Sequence, residues 1–131
     1  MRVKYELRLL VSSTDNDEAD LANLATTTTD GDQSEAVGIK IKIAPGAVNV
    51  SLIPAGLETA KLTVLRTYTV DPTQDPVLLN FKLNSTSSDA VPVTPLGEQR
   101  EAHLLLTAPL TALYVSNPGS VAMYVQGYFV G

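Results

Sequence analysis

Residues 121–130 read VAMYVQGYFV, and their alternation decides the fold. Val121, Met123, Val125 and Phe129 fall on one face, and Ala122, Tyr124, Gln126, Tyr128 and Val130 on the other, a period of two that belongs to a strand. Both faces are apolar enough for a strand covered on two sides, by the core and by a neighbouring subunit. The preceding Asn117-Pro118-Gly119-Ser120 suits a type II turn. It is expected to join LTALYV (residues 110–115) to this strand as a hairpin.

Working outward, the same period recurs. In AVGIKIKI, Val37, Ile39, Ile41 and Ile43 point one way and Lys40 and Lys42 the other. In MRVKYELRLLV, Val3, Tyr5, Leu7, Leu9 and Val11 alternate with Lys4, Glu6 and Arg8. In AKLTVLRTYTV, Leu62, Val64, Tyr68 and Val70 are expected inward, with Arg66 as the one charged intruder. VLLNFKL adds Val77, Leu79, Phe81 and Leu83. Ala44-Pro45-Gly46 and Pro54-Ala55-Gly56 supply chain reversals, because proline presets φ and glycine tolerates positive φ. Pro92 and Pro95 mark VPVTPLG as an edge or connecting strand, since proline donates no ladder hydrogen bond.

About eight short strands with turns every eight to twelve residues predict an all-β chain: an antiparallel β-sandwich or jelly roll. The 131 residues are read as a single domain with an acidic insertion at 12–35. There is no cysteine, so disulfides and thiolate chemistry are excluded and the fold rests on its core or on oligomer contacts. The charges in the first residues interrupt any signal-peptide core, and no run reaches the roughly 18 apolar residues of a membrane span.

The net charge of −5 is local in origin. Ser12 to Gly38 holds seven of the fourteen carboxylates and no lysine or arginine, which leaves nine cations against seven anions elsewhere. Without a basic stripe, nucleic acid is not an expected partner. In STDNDEADLANLATTTTDGDQSE (Ser13–Glu35), Asp15 and Asp17 match the first two ligands of an EF-hand loop, but Ala19 and Asp20 break the pattern. A calcium cluster of Asp15, Asp17, Asp30 and Asp32 is the alternative to a short helix over 17–25, with Leu21 and Leu24 on its apolar side. The helix is preferred because acids in a first turn favour it electrostatically and because it also accounts for the leucines. Thr26 to Thr29 then end the helix, and Asp30-Gly31-Asp32 turns.

Little else carries chemistry. The single histidine, His103, sits in EAHLLLTA beside no nucleophile motif, and it is expected as an exposed strand residue. Glu58, Glu98 and Glu101 could be paired for glycoside hydrolysis only if the fold set their separation. Phosphate-binding loops are absent. No enzyme activity, cofactor or metal is expected.

The stretches AKLTVLRTYTVDPTQDPVLLNFKLN, Pro95-Leu96-Gly97-Glu98 before EAHLLLTA, and LTALYVSNPGSVAMYVQGYFVG resemble in layout a small β-domain of tailed-bacteriophage virion structural proteins. The opening MRVKYELRLLVSSTDNDEADLANLATT is similar to the start of phage proteins of this size. The resemblance implies a non-enzymatic virion component, best matched by a head decoration or cement protein made in the host bacterial cytoplasm. Such a protein would be a homo-oligomer, with a trimer expected, contacting the major capsid protein or other virion proteins and neither nucleic acid nor membrane. Interface candidates are Tyr124, Tyr128, Leu21 and Leu24. Two alternatives are a neck, tail or baseplate protein and a carbohydrate-binding or adhesion module; the small number of aromatic residues, seven, argues against the latter.

Overall fold

A computed structural model describes residues 2–9, 25–32 and 36–131. The chain forms two compact units, Met1–Ser34 and Glu35–Gly131. All regular structure among the described residues is β-strand.

In the first unit, β1 (Arg2–Leu9) pairs antiparallel with β2 (Ala25–Asp32), in a register that sets Arg2 opposite Asp32 and Lys4 opposite Asp30. The alternation of the first residues is therefore a strand, as expected. The expectation for 26–32 is corrected: Thr26–Thr29 and Asp30-Gly31-Asp32 extend β2 instead of ending a helix and turning. Threonine's branched Cβ disfavours helix and suits the extended chain. Of the helix expected over 17–25, residues 17–24, with Leu21 and Leu24, lie outside the described residues, and Ala25 opens β2.

The second unit holds β3 (Ala36–Ile43), β4 (Val50–Ser51), β5 (Leu62–Thr69), β6 (Leu79–Leu83), β7 (Val91–Val93), β8 (Ala102–Leu106), β9 (Leu113–Ser116) and β10 (Met123–Val130). They form two antiparallel sheets of four strands, ordered β3-β10-β5-β8 and β4-β9-β6-β7. One core cluster draws on both. The first sheet contributes Ile43, Leu65, Met123, Val125 and Phe129, and the second Leu79, Phe81, Leu113 and Val115. This arrangement is consistent with a β-sandwich. Fully burying a side chain such as Phe81 or Phe129 contributes roughly 1.5–3 kcal/mol, so the shared cluster gives each sheet a reason to face the other.

Every connection in this unit crosses between the sheets except β6–β7, which pair with each other. β7, with Pro92 in it, is an edge strand as its prolines require. The expected β9–β10 hairpin is therefore corrected, since the two strands belong to different sheets. Gly119 does not adopt the positive φ of a type II turn. Buried Asn117 shapes the crossing instead: its Nδ2 donates to Ile43 O (3.2 Å) and Val121 O (2.8 Å), and its Oδ1 accepts from Gly119 N (3.0 Å). A true reversal of the expected kind occurs at 44–47, where Gly46 has φ 79° and Ala47 N donates to Ala44 O at 3.1 Å.

Leu62 is buried as expected, but beyond it the inward face of β5 is the opposite of the expected one. Thr63, Leu65, Thr67 and Thr69 are buried, while Val64, Arg66 and Tyr68 face outward. The cross-strand register explains the inversion, because Thr67 lies opposite Val125 and Thr63 opposite Phe129, both core residues of the central strand. Arg66 thus stands on the outer face.

Four of the connections gather at one end of the unit. Gly46 N donates to Asn117 O and Asn117 N to Ala47 O, both at 2.9 Å, tying the β3–β4 link to the β9–β10 link. Val70 N donates to Ala122 O at 3.1 Å, and the Arg100 guanidinium donates to Gln74 O, which brings in the β5–β6 and β7–β8 links. The β4–β5, β6–β7 and β8–β9 links meet at the other end through the Ala60–Leu110 bridge and the Asn84 N to Ala112 O bond.

Candidate functional site

The outer face of the β3-β10-β5-β8 sheet carries a group of polar, charged and aromatic side chains. Strand alternation puts Gly38, Lys40 and Lys42 outward on β3, and Tyr124, Gln126 and Tyr128 outward on β10. β5 adds Val64, Arg66 and Tyr68, and β8 adds His103 and Leu105. Register then sets them in rows: Lys40–Gln126–Arg66–His103 across the middle, Gly38–Tyr128–Val64–Leu105 on one side and Lys42–Tyr124–Tyr68 on the other.

The middle row is tied together by hydrogen bonds. Gln126 Oε1 accepts from Arg66 Nε (3.3 Å), Arg66 Nη2 (2.8 Å) and the Tyr68 hydroxyl (2.7 Å). Arg66 Nη1 pairs with Glu101 Oε1 at 3.0 Å, and His103 Nε2 lies 3.5 Å from Glu101 Oε2. Glu101 therefore balances the charge of Arg66. The Arg66 guanidinium also stands 4.7 Å from the Tyr68 ring, Lys40 Nζ stands 4.6 Å from the Tyr124 ring, and the two rings are 5.5 Å apart. Such cation–ring contacts are worth about 0.5–1 kcal/mol at exposed positions, enough to fix orientation without adding much stability.

Two hollows flank this row. The larger, about 300 Å³, opens over Val64 between Tyr128 and the Arg66–Gln126–His103 group. The smaller, about 230 Å³, lies among Tyr68, Pro72, Arg100 and Glu101. Tyr128 is 61% exposed. Its ring leans over Gly38, where an added Cβ would stand 3.1 Å from Cε1, and that tilt leaves the space above Val64 open.

Tyr124 and Tyr128 both lie on this face, but Tyr124 is half-covered beside Lys40 and Tyr68 while Tyr128 stands free. His103 is exposed on the same face. Glu98 and Glu101 sit in the β7–β8 link and Glu58 in the β4–β5 link at the other end of β5, so these three carboxylates are not brought to one point. Among the described residues no group of three or more metal-binding side chains converges. Asp30 and Asp32 belong to β2, and Asp15 and Asp17 lie outside the described residues.

No family model, curated protein or solved structure matches the chain. The geometry of its surfaces is therefore what bears on function.

A second surface stands at the end where four links gather. Val48, in the β3–β4 link, is 72% exposed and Leu96, in the β7–β8 link, is 77% exposed, the two most exposed large apolar side chains among the described residues. Nearby, the Asp71 carboxylate accepts from the Thr73 hydroxyl (2.7 Å) and the Thr73 backbone N–H (2.9 Å), and those two bonds hold its pKa below the usual carboxylate range.

Sequence reasoning marked Arg66 as a charge that could pair across strands but missed Gln126 and Tyr68 as the groups it joins. Val64, Arg66 and Tyr68 share one parity, so the single charge among them was the available signal that their face looks outward.

Proposed function

We propose that this protein is a non-enzymatic structural component of a tailed-phage virion, of the head decoration type, acting through contacts between copies and with the shell. The observation that carries the reading is the strand order. Taken from β3 to β10, two sheets ordered first-eighth-third-sixth and second-seventh-fourth-fifth support reading the unit as an eight-stranded jelly roll of two Greek keys. Jelly rolls recur in viral structural proteins, and also in lectins and cupins, so the fold supports the assignment by analogy.

Contacts between copies are assigned to the end bearing Val48 and Leu96. Loop tips that hold large apolar side chains in water gain by burial against another protein, and many equivalent weak contacts on a lattice add up to firm attachment.

Electron microscopy of particles purified from producing cells, with the chain labelled, tests the assignment. Copies at regular points on a head are the expected result. Copies on the neck, tail or baseplate would move it to another virion part, and absence from every particle would overturn it. For the contact surface, the double substitution V48S/L96S is expected to shift the mass of the assembled protein toward the single chain in light scattering. An unchanged mass would remove that end from the interface.

A further inference from the structure

We propose that the groove beside Tyr128 is a binding site for one neutral hexopyranose ring. The inference rests on the groove itself and holds whether or not the chain belongs to a virion.

A sugar ring asks for two things at once: an aromatic or apolar platform for its C–H face and planar polar groups for its hydroxyls. The groove has both. Tyr128 supplies an exposed ring whose tilt is set by Gly38, and Val64 forms the apolar floor. On the opposite side stand Arg66, Gln126 and His103. Hydroxyls need donors held in position, and these are: Gln126 Oε1 is occupied by Arg66 and the Tyr68 hydroxyl, which fixes the amide with its Nε2 donor lacking a protein acceptor among the described residues. Preorganised groups of this kind lose little entropy on binding.

Charge narrows the ligand class. A phosphate or carboxylate site would leave its arginine uncompensated and ready for a bidentate anion. Here the charge of Arg66 is already balanced by Glu101 at 3.0 Å, and three of its five N–H donors are engaged by Glu101 and Gln126, so an anion meets a neutralised and largely occupied guanidinium. A neutral polyol does not depend on that charge. The volume of about 300 Å³, at the lower end of small-ligand pockets, is room for one ring and not for an extended chain. One ring needs one stacking face, which Tyr128 supplies; Tyr68 and Tyr124 lie across the middle row from the groove.

The test is saturation-transfer NMR and calorimetry on the full chain with methyl glucoside, methyl galactoside and methyl mannoside, and with inorganic phosphate as the anion control. At least one glycoside is expected to bind with Kd of about 1 mM, as an open groove with few contacts allows. Y128A should weaken it by about tenfold or more. Y128F, which keeps the ring, should bind within about twofold of the parent chain. Q126L should also lose binding while melting close to the parent, which separates a lost ligand contact from a lost fold. Oligosaccharides of the preferred sugar then distinguish the source: binding equal to that of the monosaccharide assigns the end of a polymer, and exclusion of the oligosaccharide a free sugar. The proposal is overturned if none of the glycosides binds, if Y128A binds as the parent does, or if phosphate binds and the sugars do not.

Discussion

The two faces of the β3-β10-β5-β8 sheet are built from the same strands and held by different physics. Inward, Val125, Phe129, Leu65 and the threonines of β5 are excluded from water and fixed by volume. Outward, Arg66, Gln126, Tyr68 and Glu101 are fixed by directional bonds between half-exposed groups. Substitutions on the inner face therefore cost stability, and those on the outer face cost little of it. A volume error inside has nowhere to go, whereas a broken polar contact outside is replaced by water.

The largest expected effect comes from adding one carbon at half-exposed Gly127, where it meets the strand backbone that holds the inner face in register. At Gly127 a Cβ would fall 1.9 Å from Val64 O and 2.9 Å from Leu65 Cα, both backbone atoms of the neighbouring strand. G127A must therefore push β10 and β5 apart, and it is expected to destabilise by about 3 kcal/mol or more, or to prevent folding. Urea unfolding of the two chains measures this. A midpoint equal to that of the parent would show that the inner face is not governed by close packing, and the comparison of faces would fail.

The next test has the opposite sign. Thr63 Oγ1 and Thr67 Oγ1 are buried with no hydrogen-bond partner, and a desolvated, unpaired hydroxyl costs about 1–3 kcal/mol. T67V keeps the shape and removes that oxygen, so a gain of about 1 kcal/mol in unfolding free energy is expected. A loss of stability would mean that the hydroxyl is hydrogen-bonded, by water, and that the inner face is less dry than its apolar neighbours suggest.

These same threonines explain what was legible beforehand. Strands with apolar residues at every second position, such as AVGIKIKI and VLLNFKL, could be oriented from sequence because only one face was apolar, whereas the terminal VAMYVQGYFV is apolar on both faces and the structure decides that Met123, Val125 and Phe129 face the core. β5 could not be oriented from sequence either. Its buried set contains three threonines and its exposed set contains Val64 and Tyr68, so hydropathy pointed the wrong way and only register against β10 decides the matter. The site inherits that error: with Tyr68 read as inward, the Tyr68–Gln126–Arg66 group had no reason to be sought. The expected β9–β10 hairpin failed for a related reason, since a turn motif records a change of direction and not which sheet the chain enters next. The strands on either side of Asn117 are each correct; what joins them depends on the buried carboxamide and its distant acceptor Ile43 O.

On the outer face, Q126L sharpens the contrast. It removes the oxygen that receives three hydrogen bonds, yet Arg66 and Tyr68 are part-exposed and water can take its place. A change of no more than about 1 kcal/mol is expected in urea unfolding. A loss as large as that of G127A would mean that the polar row supports the fold and is not confined to recognition.

The smallest effect belongs to a fully solvated group and is best seen as a dependence on pH. Asp71 has a depressed pKa in the folded chain, caused first by the Thr73 hydroxyl and then by the Thr73 backbone N–H. A carboxyl that binds its proton more weakly when folded contributes stability above its unfolded pKa and loses it as pH falls through the folded value. T73V removes the hydroxyl donor and leaves the backbone N–H, so part of that contribution goes. The parent and T73V should then differ in urea midpoint at neutral pH, with the parent the more stable, and the gap should close as acid protonates Asp71 in both. A gap that persists unchanged into strong acid would assign the difference to the threonine's own packing and not to its bond with Asp71. Because this carboxylate is open to solvent, water replaces the lost donor, so the gap should be smaller than any change made on the buried face of β5.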